Sequence, residues 1–234
     1  MIIPVWGTMR MLEHSEDVLF WETFLENLHN KGITHLHSSI EYSSFSLLSE
    51  ALRRLSKKDI IFNHIVKLAE PSFHENGFFK ERFLVKLDTY ERLLFGPIVS
   101  IQWMWRSELE DKVRIKSFLE EIGKVEQIAK EYPLYCFPYS QAFAKEAIKI
   151  ISLNGLVLYW NKKEVEYEGI IKSTYNFNMS TIVLRPFHAG NSGDVNTFQA
   201  LNFCKGIDNL KYIIFTATKE NHLNKVFQFF NEQH

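Results

Sequence analysis

Short runs of Ile, Val, Leu, Phe and Tyr alternate along the chain with longer stretches in which apolar residues recur every three or four positions. The short runs, at 2–5, 33–37, 60–67, 98–104, 134–137, 156–160, 181–184 and 212–215, have the length and composition of buried parallel strands. The amphipathic stretches predict helices over 17–29, 46–55, 78–94, 113–130, 141–151, 165–173, 195–203 and 219–231. In the first of these, Val18, Trp21, Leu25 and Leu28 share one face, and Gly32 follows as a C-terminal cap. Each parallel strand pair needs a crossover, so this alternation predicts repeated βαβ units. Eight repeats favour a closed (β/α)8 TIM barrel over an open doubly wound sheet. A dinucleotide-binding open sheet would carry Gly-x-Gly-x-x-Gly after its first strand. Val5-Trp6-Gly7-Thr8-Met9-Arg10 holds one glycine there. No Pro/Gly/Ser-rich linker interrupts the pattern, which predicts one domain over 1–234.

Composition narrows the function classes. The chain has 234 residues, 46% apolar and 24% charged, with a net charge of −1. That balance predicts no nucleic-acid partner and no anionic membrane surface. No apolar run reaches the roughly 18 residues of a membrane span, and the N-terminus lacks a signal-peptide pattern, so the expected location is the cytoplasm. Cys136 and Cys204 fit a reducing compartment, though they remain able to pair, and their spacing matches no metal motif. The aromatic share, 15% with 20 Phe, is high and would permit a subunit interface, although oligomeric state is not legible.

In barrel enzymes the chemistry sits at the C-terminal ends of the strands. The second strand ends in His35, His37 and then Tyr42, the two histidines sharing one side by period-2 alternation. The third ends in His64 and Lys67, and a lysine closing an apolar strand needs an anion, water or a partner. Glu41 and Glu70 are the alternative ion-pair partners for it. The fourth ends in Gln102-Trp-Met-Trp-Arg106, where Trp105 either packs in the wall or core or stacks on a sugar or nicotinamide face. A metal site from His35, His37 and His64 lacks a supporting carboxylate or cysteine, so no metal is expected. Asn191-Ser-Gly-Asp194 reads as a turn with Asp194 as helix N-cap.

The order of these segments resembles the aldo/keto reductase superfamily, nicotinamide-dependent oxidoreductases on a (β/α)8 barrel. Pro4-Val-Trp-Gly-Thr-Met-Arg-Met11 resembles its opening Gly-Thr strand, and Gly32–Tyr42 its Gly-x4-Asp-Thr-Ala-x-x-Tyr segment. Leu48-Ser-Glu-Ala-Leu52 resembles the helix that follows, and residues 83–106 resemble the helix and strand ending in the catalytic histidine. Residues 156–161, Leu184-Arg-Pro-Phe-His-Ala-Gly190 and Phe215-Thr-Ala-Thr-Lys-Glu-Asn-His-Leu223 resemble later cofactor-contacting segments.

The resemblance implies reduction of an aldehyde or ketone by NADP or NAD, with Tyr42 as proton donor and Lys67 lowering the tyrosine pKa. His37 then stands where the family has the lysine's aspartate, and Trp105 where it has the histidine. Implied cofactor contacts are Ser140 and Gln141 for the nicotinamide amide, and Arg185, Gly190, Asn191, Thr216, Thr218 and Lys219 for phosphates. Lys219 leans the expectation toward NADP. Val157, Leu184, Thr216 and Val226 replace the family's glutamine, tyrosine, glycine and asparagine. These departures keep two further readings open: an isomerase or lyase acting on a sugar or phosphorylated substrate, with Lys67 as base or Schiff-base former, and a non-catalytic binding protein. The expected partner is a small molecule, a carbonyl compound or a sugar, and for the non-catalytic reading a ligand or a partner protein.

Overall fold

The computed structural model describes residues 1–71, 78–105, 111–125, 130–188 and 196–232. Eight parallel strands close in chain order into a barrel. They are β1 (Ile3–Gly7), β2 (His35–Ser38), β3 (Asn63–Ala69), β4 (Ile98–Met104), β5 (Leu134–Cys136), β6 (Gly155–Tyr159), β7 (Ser180–Leu184) and β8 (Leu210–Phe215). Ile3 to Trp6 of β1 pair with Tyr212 to Phe215 of β8, which seals the ring. Among the described residues eight helices alternate with the strands: α1 (Val18–Asn30), α2 (Phe45–Ser56), α3 (Lys80–Leu93), α4 (Asp111–Glu121), α5 (Gln141–Ala147), α6 (Glu168–Asn176), α7 (Thr197–Lys205) and α8 (Glu220–Asn231). This is the (β/α)8 barrel that the periodicity predicts.

Local chemistry sets the helix boundaries. The Asp17 carboxylate caps α1 by accepting from the Leu19 N–H at 2.9 Å. Gly32 ends it at φ +89°, a left-handed conformation that glycine adopts without cost. The predicted cap Asp194, like Gly190 and Asn191, lies outside the described residues. The N-cap of α7 is Asn196, whose Oδ1 accepts from Phe198 N at 3.0 Å and Gln199 N at 3.3 Å. The helix therefore begins at Thr197, two residues later than its apolar period predicts.

The core has two layers, separated by strand alternation. Val5, Ile65, Met104, Tyr135, Val157 and Ile214 point into the barrel. Trp6, Leu36, Val66, Trp103 and Ile213 point outward against the helices. The aromatic surplus is concentrated in this outer layer: Trp103 and Phe118 approach to 5.1 Å between ring centres, and Phe118 and Phe143 to 4.8 Å. Such pairs contribute roughly 0.5–1.5 kcal/mol each beyond their area burial. Both cysteines are free and buried. Burial pushes the Cys204 thiol up to about 12 and raises that of Cys136 as well. Among the described residues no helix is long and apolar enough to cross a membrane, and no group of three or more His, Cys, Asp or Glu could hold a metal ion.

Candidate active site

A cavity of about 550 Å³ opens at the C-terminal ends of the strands. Its inner wall is built from residues that alternation turns inward: His37 on β2, Lys67 on β3, Gln102 and Met104 on β4, and Tyr159 on β6. Phe137 after β5 and Ile214 on β8 complete the apolar part, and Tyr42 enters from the β2–α2 connection. Thus His37, Tyr42 and Lys67, which are widely spaced in the chain, share one wall. The Lys67 Nζ lies 4.9 Å from the centre of the Tyr42 ring, and the His37 and Tyr42 rings are 6.5 Å apart.

Backbone hydrogen bonds fix this wall. The Tyr90 hydroxyl reaches from α3, where it is fully buried, and donates to the Lys67 carbonyl at 2.5 Å. The same oxygen accepts from the Ile40 N–H at 2.9 Å. The Ser39 hydroxyl donates to the Lys67 carbonyl at 3.3 Å and accepts from Glu41 N–H at 3.2 Å. The segment carrying Tyr42 and the strand end carrying Lys67 are therefore tied to one another through main-chain atoms. Burial raises the Tyr90 pKa, so it remains a neutral hydroxyl able to donate and accept together.

His37 is buried, and its Nε2 lies 2.7 Å from Gln102 Oε1. Desolvation lowers its pKa to about 4; the hydrogen bond to Gln102 opposes this, and the Lys67 charge adds to the lowering. At neutral pH His37 is thus an uncharged imidazole. Glu70, one of the two ion-pair partners considered for Lys67, instead binds Arg82 at 2.6 Å and Lys86 at 3.1 Å while fully buried.

Trp105 does not reach the cavity. It shares the outward parity of Trp103 and packs 5.6 Å from it, with Phe78 stacked at 5.9 Å. The inward residues at this end of β4 are Gln102 and Met104. A one-residue offset in a strand moves a side chain to the opposite face, so the assignment of Trp105 to the site is corrected, and its packing reading is the one the structure fits. Gln102 was missed as a site residue. Its signal is present in the sequence as the lone polar residue in Ile101-Gln-Trp-Met-Trp105.

The cofactor candidates divide in the same way. Arg185 and Thr216 line the cavity. Arg185 follows β7 at φ +56°, a strained value for a non-glycine residue. Its carbonyl accepts from Asn161 Nδ2 at 3.0 Å, and its guanidinium lies 4.0 Å over the Tyr159 ring. The Thr216 hydroxyl donates to the Gly7 carbonyl at 3.2 Å. Ser140, by contrast, caps α5, accepting from Phe143 N at 3.1 Å, and Gln141 is exposed beside it. Neither lines the cavity. Thr218 faces His14 at 3.2 Å, and Lys219 is the exposed N-cap residue of α8. The cations at the mouth are Arg10, Arg185 and Lys225, with His222 beside them. Among the described lining residues there is no aspartate or glutamate. His222 and Lys225 lie in the first and second turns of α8, on a face that its apolar period marks only as polar.

No sequence-family model matches the chain, and no curated protein matches it in sequence. Solved structures do. A protein of Pseudomonas aeruginosa described as an aldo-keto reductase superposes with a TM-score of 0.72 at 13% identity, over 99% of this chain and 91% of that one. An aldo-keto reductase of Klebsiella pneumoniae in complex with NADPH gives 0.67 at 12% identity, over 97% and 85%. One of Bacillus halodurans gives 0.66 at 16% identity, over 92% and 82%. With this barrel, and with its cavity at the strands' C-terminal ends, the chain has the fold of the aldo-keto reductases.

Proposed function

We propose that the chain is a divergent aldo/keto reductase, one domain over 1–234, that reduces an aldehyde or ketone with NADP or NAD. The observation that carries this reading is the meeting of Tyr42 and Lys67 on the wall of a cavity whose mouth is cationic. A dinucleotide carries phosphates, and Arg10, Arg185 and Lys225 offer cations for them in a described lining without a carboxylate, with Glu13 paired to Arg10 and Glu164 to Arg185 outside it. The residues present therefore fit such a group. When bound, the reduced nicotinamide supplies hydride to the carbonyl carbon.

The remaining chemistry belongs to the chain. Tyr42 gives its hydroxyl proton to the carbonyl oxygen, and the Lys67 ammonium stabilises the phenolate left behind. Met104, Phe137 and Tyr159 exclude water around the reacting carbonyl. The K. pneumoniae enzyme bound to NADPH supports a phosphorylated dinucleotide as the first candidate.

Calorimetric titration with NADPH and NADH, followed by a carbonyl substrate panel, tests the reading. Binding of one dinucleotide and turnover reduced at least ~10²-fold by Tyr42→Phe are expected, in line with the usual contribution of a general acid. Absence of dinucleotide binding would remove the reading. A neutral His37 in the aspartate position favours a second one, a barrel that binds an anionic ligand without hydride transfer. Tight dinucleotide binding with no turnover across the panel would select it.

A further inference from the structure

β4 places Gln102 between the bulky Ile101 and Trp103, in register with Lys67 of β3. Only 2% exposed, it still contributes to the cavity wall beside Tyr42 and Lys67. We infer that Gln102 is a further catalytic residue of the proposed carbonyl reduction, its amide NH2 donating to the substrate carbonyl oxygen, and that His37 is the positioning residue that aims it. The inference rests on the reductase reading for the reaction, but not for the geometry.

An amide has one end that accepts and one that donates. Gln102 Oε1 sits 2.7 Å from His37 Nε2, so the imidazole must place its single N–H on Nε2 and donate. That bond fixes the amide orientation. The NH2 end is turned away from His37, and Gln102 lines the cavity. The neighbouring cavity is where a ligand's oxygen would complete the pair.

The energetic logic favours this arrangement. As hydride reaches a carbonyl carbon, negative charge grows on the oxygen, and a fixed donor aimed at that oxygen stabilises the transition state more than the ground state. Tyr42 supplies the proton, and the Gln102 amide holds the oxygen in line for it. An amide does not titrate, so this donor is present at every pH at which the protein is folded. Burial keeps His37 uncharged, with the adjacent Lys67 opposing a second cation, so the orienting bond persists through neutral pH.

Nitrogen-15 NMR of histidine-labelled protein without ligand tests the geometry. His37 is expected as the Nε2–H tautomer from pH 5 to pH 8, and Gln102→Leu should remove the hydrogen-bond shift of that nitrogen. A Nδ1–H tautomer or an imidazolium in this range would overturn the inference whatever the activity. Kinetics test the role. Gln102→Leu and Gln102→Glu, the latter keeping an acceptor for His37 while losing the donors, should both lower kcat about 10²–10³-fold. Dinucleotide Kd should change less than about twofold. A Gln102→Glu variant that retains wild-type kcat would overturn the catalytic role. Wild-type protein without carbonyl turnover would overturn that role together with the reductase reading, and the tautomer would then report on the orientation alone.

Discussion

At the scale of single residues, two imidazoles, those of His37 and His64, are withdrawn from water. His64 sits on the outward face of β3 and is fully buried. Desolvation lowers its pKa to about 3, with a smaller opposing contribution from the Leu94 backbone, and neither ring nitrogen meets a partner in hydrogen-bond geometry. Both His64 and His37 are depressed in the folded state relative to an unfolded value near 6.5. The unfolded chain therefore takes up protons first as pH falls. Stability is intact above about pH 6.5 and declines below it, toward pH 4 for His37 and pH 3 for His64. Each fully linked proton makes a slope of about 1.4 kcal/mol per pH unit. Urea unfolding at pH 7, 6, 5 and 4 should show this decline, and His64→Gln should flatten it by about one proton's worth. An unchanged slope in the variant would show that His64 does not carry the effect. Tyr42 and His37 were both legible as candidates at this scale because a strand end and a five-residue spacing are local features. For Trp105 the choice between packing and the site depends on register, which no local feature carries.

Among the elements, β2, β3 and α3 act together. A single hydroxyl from α3 binds the main chain of the two segments that bring Tyr42 and Lys67 into one wall. Tyr90→Phe keeps the ring, which packs edge-on to Phe45 at 5.8 Å, and removes only those bonds. The Ile40 N–H and part of the Lys67 carbonyl's bonding are then left without that partner inside the protein, a loss of about 1–3 kcal/mol. The expected outcome is a lower urea midpoint with faster amide exchange at Ile40. Rapid Ile40 exchange already in the wild type would contradict the bond. Elements of this kind were read from sequence with boundaries close to those observed: β4 occupies Ile98–Met104 and α1 starts at its Asp17 cap. The link through Tyr90 was not legible, since nothing in the apolar stripe of α3 distinguishes a tyrosine that packs from one that also bridges two strands.

For the whole molecule, charge is distributed unevenly. The net charge is −1, yet Arg10, Arg185 and Lys225 converge on the mouth of a cavity lined, among described residues, by no acid. Exposed cations attract an anionic ligand through water and are screened at a Debye length of about 8 Å in physiological salt. Dinucleotide Kd should therefore rise several-fold between 50 mM and 500 mM salt, and Arg185→Ala and Lys225→Ala should each raise it and reduce the salt dependence. A Kd indifferent to salt would place the phosphates elsewhere. The sequence alone determined the eight βα repeats and the barrel, because burial on a strand or helix face writes a period of two or 3.6 residues into a short window. It also placed Tyr42 beyond the second strand and Lys67 in the C-terminal half of the third. Only the tertiary structure decided that Gln102 and not Trp105 faces them, and that His222 and Lys225 rather than Lys219 reach the cavity. His37 and Gln102 are 65 residues apart. Their contact follows from the strand register of a closed ring, which no local pattern encodes.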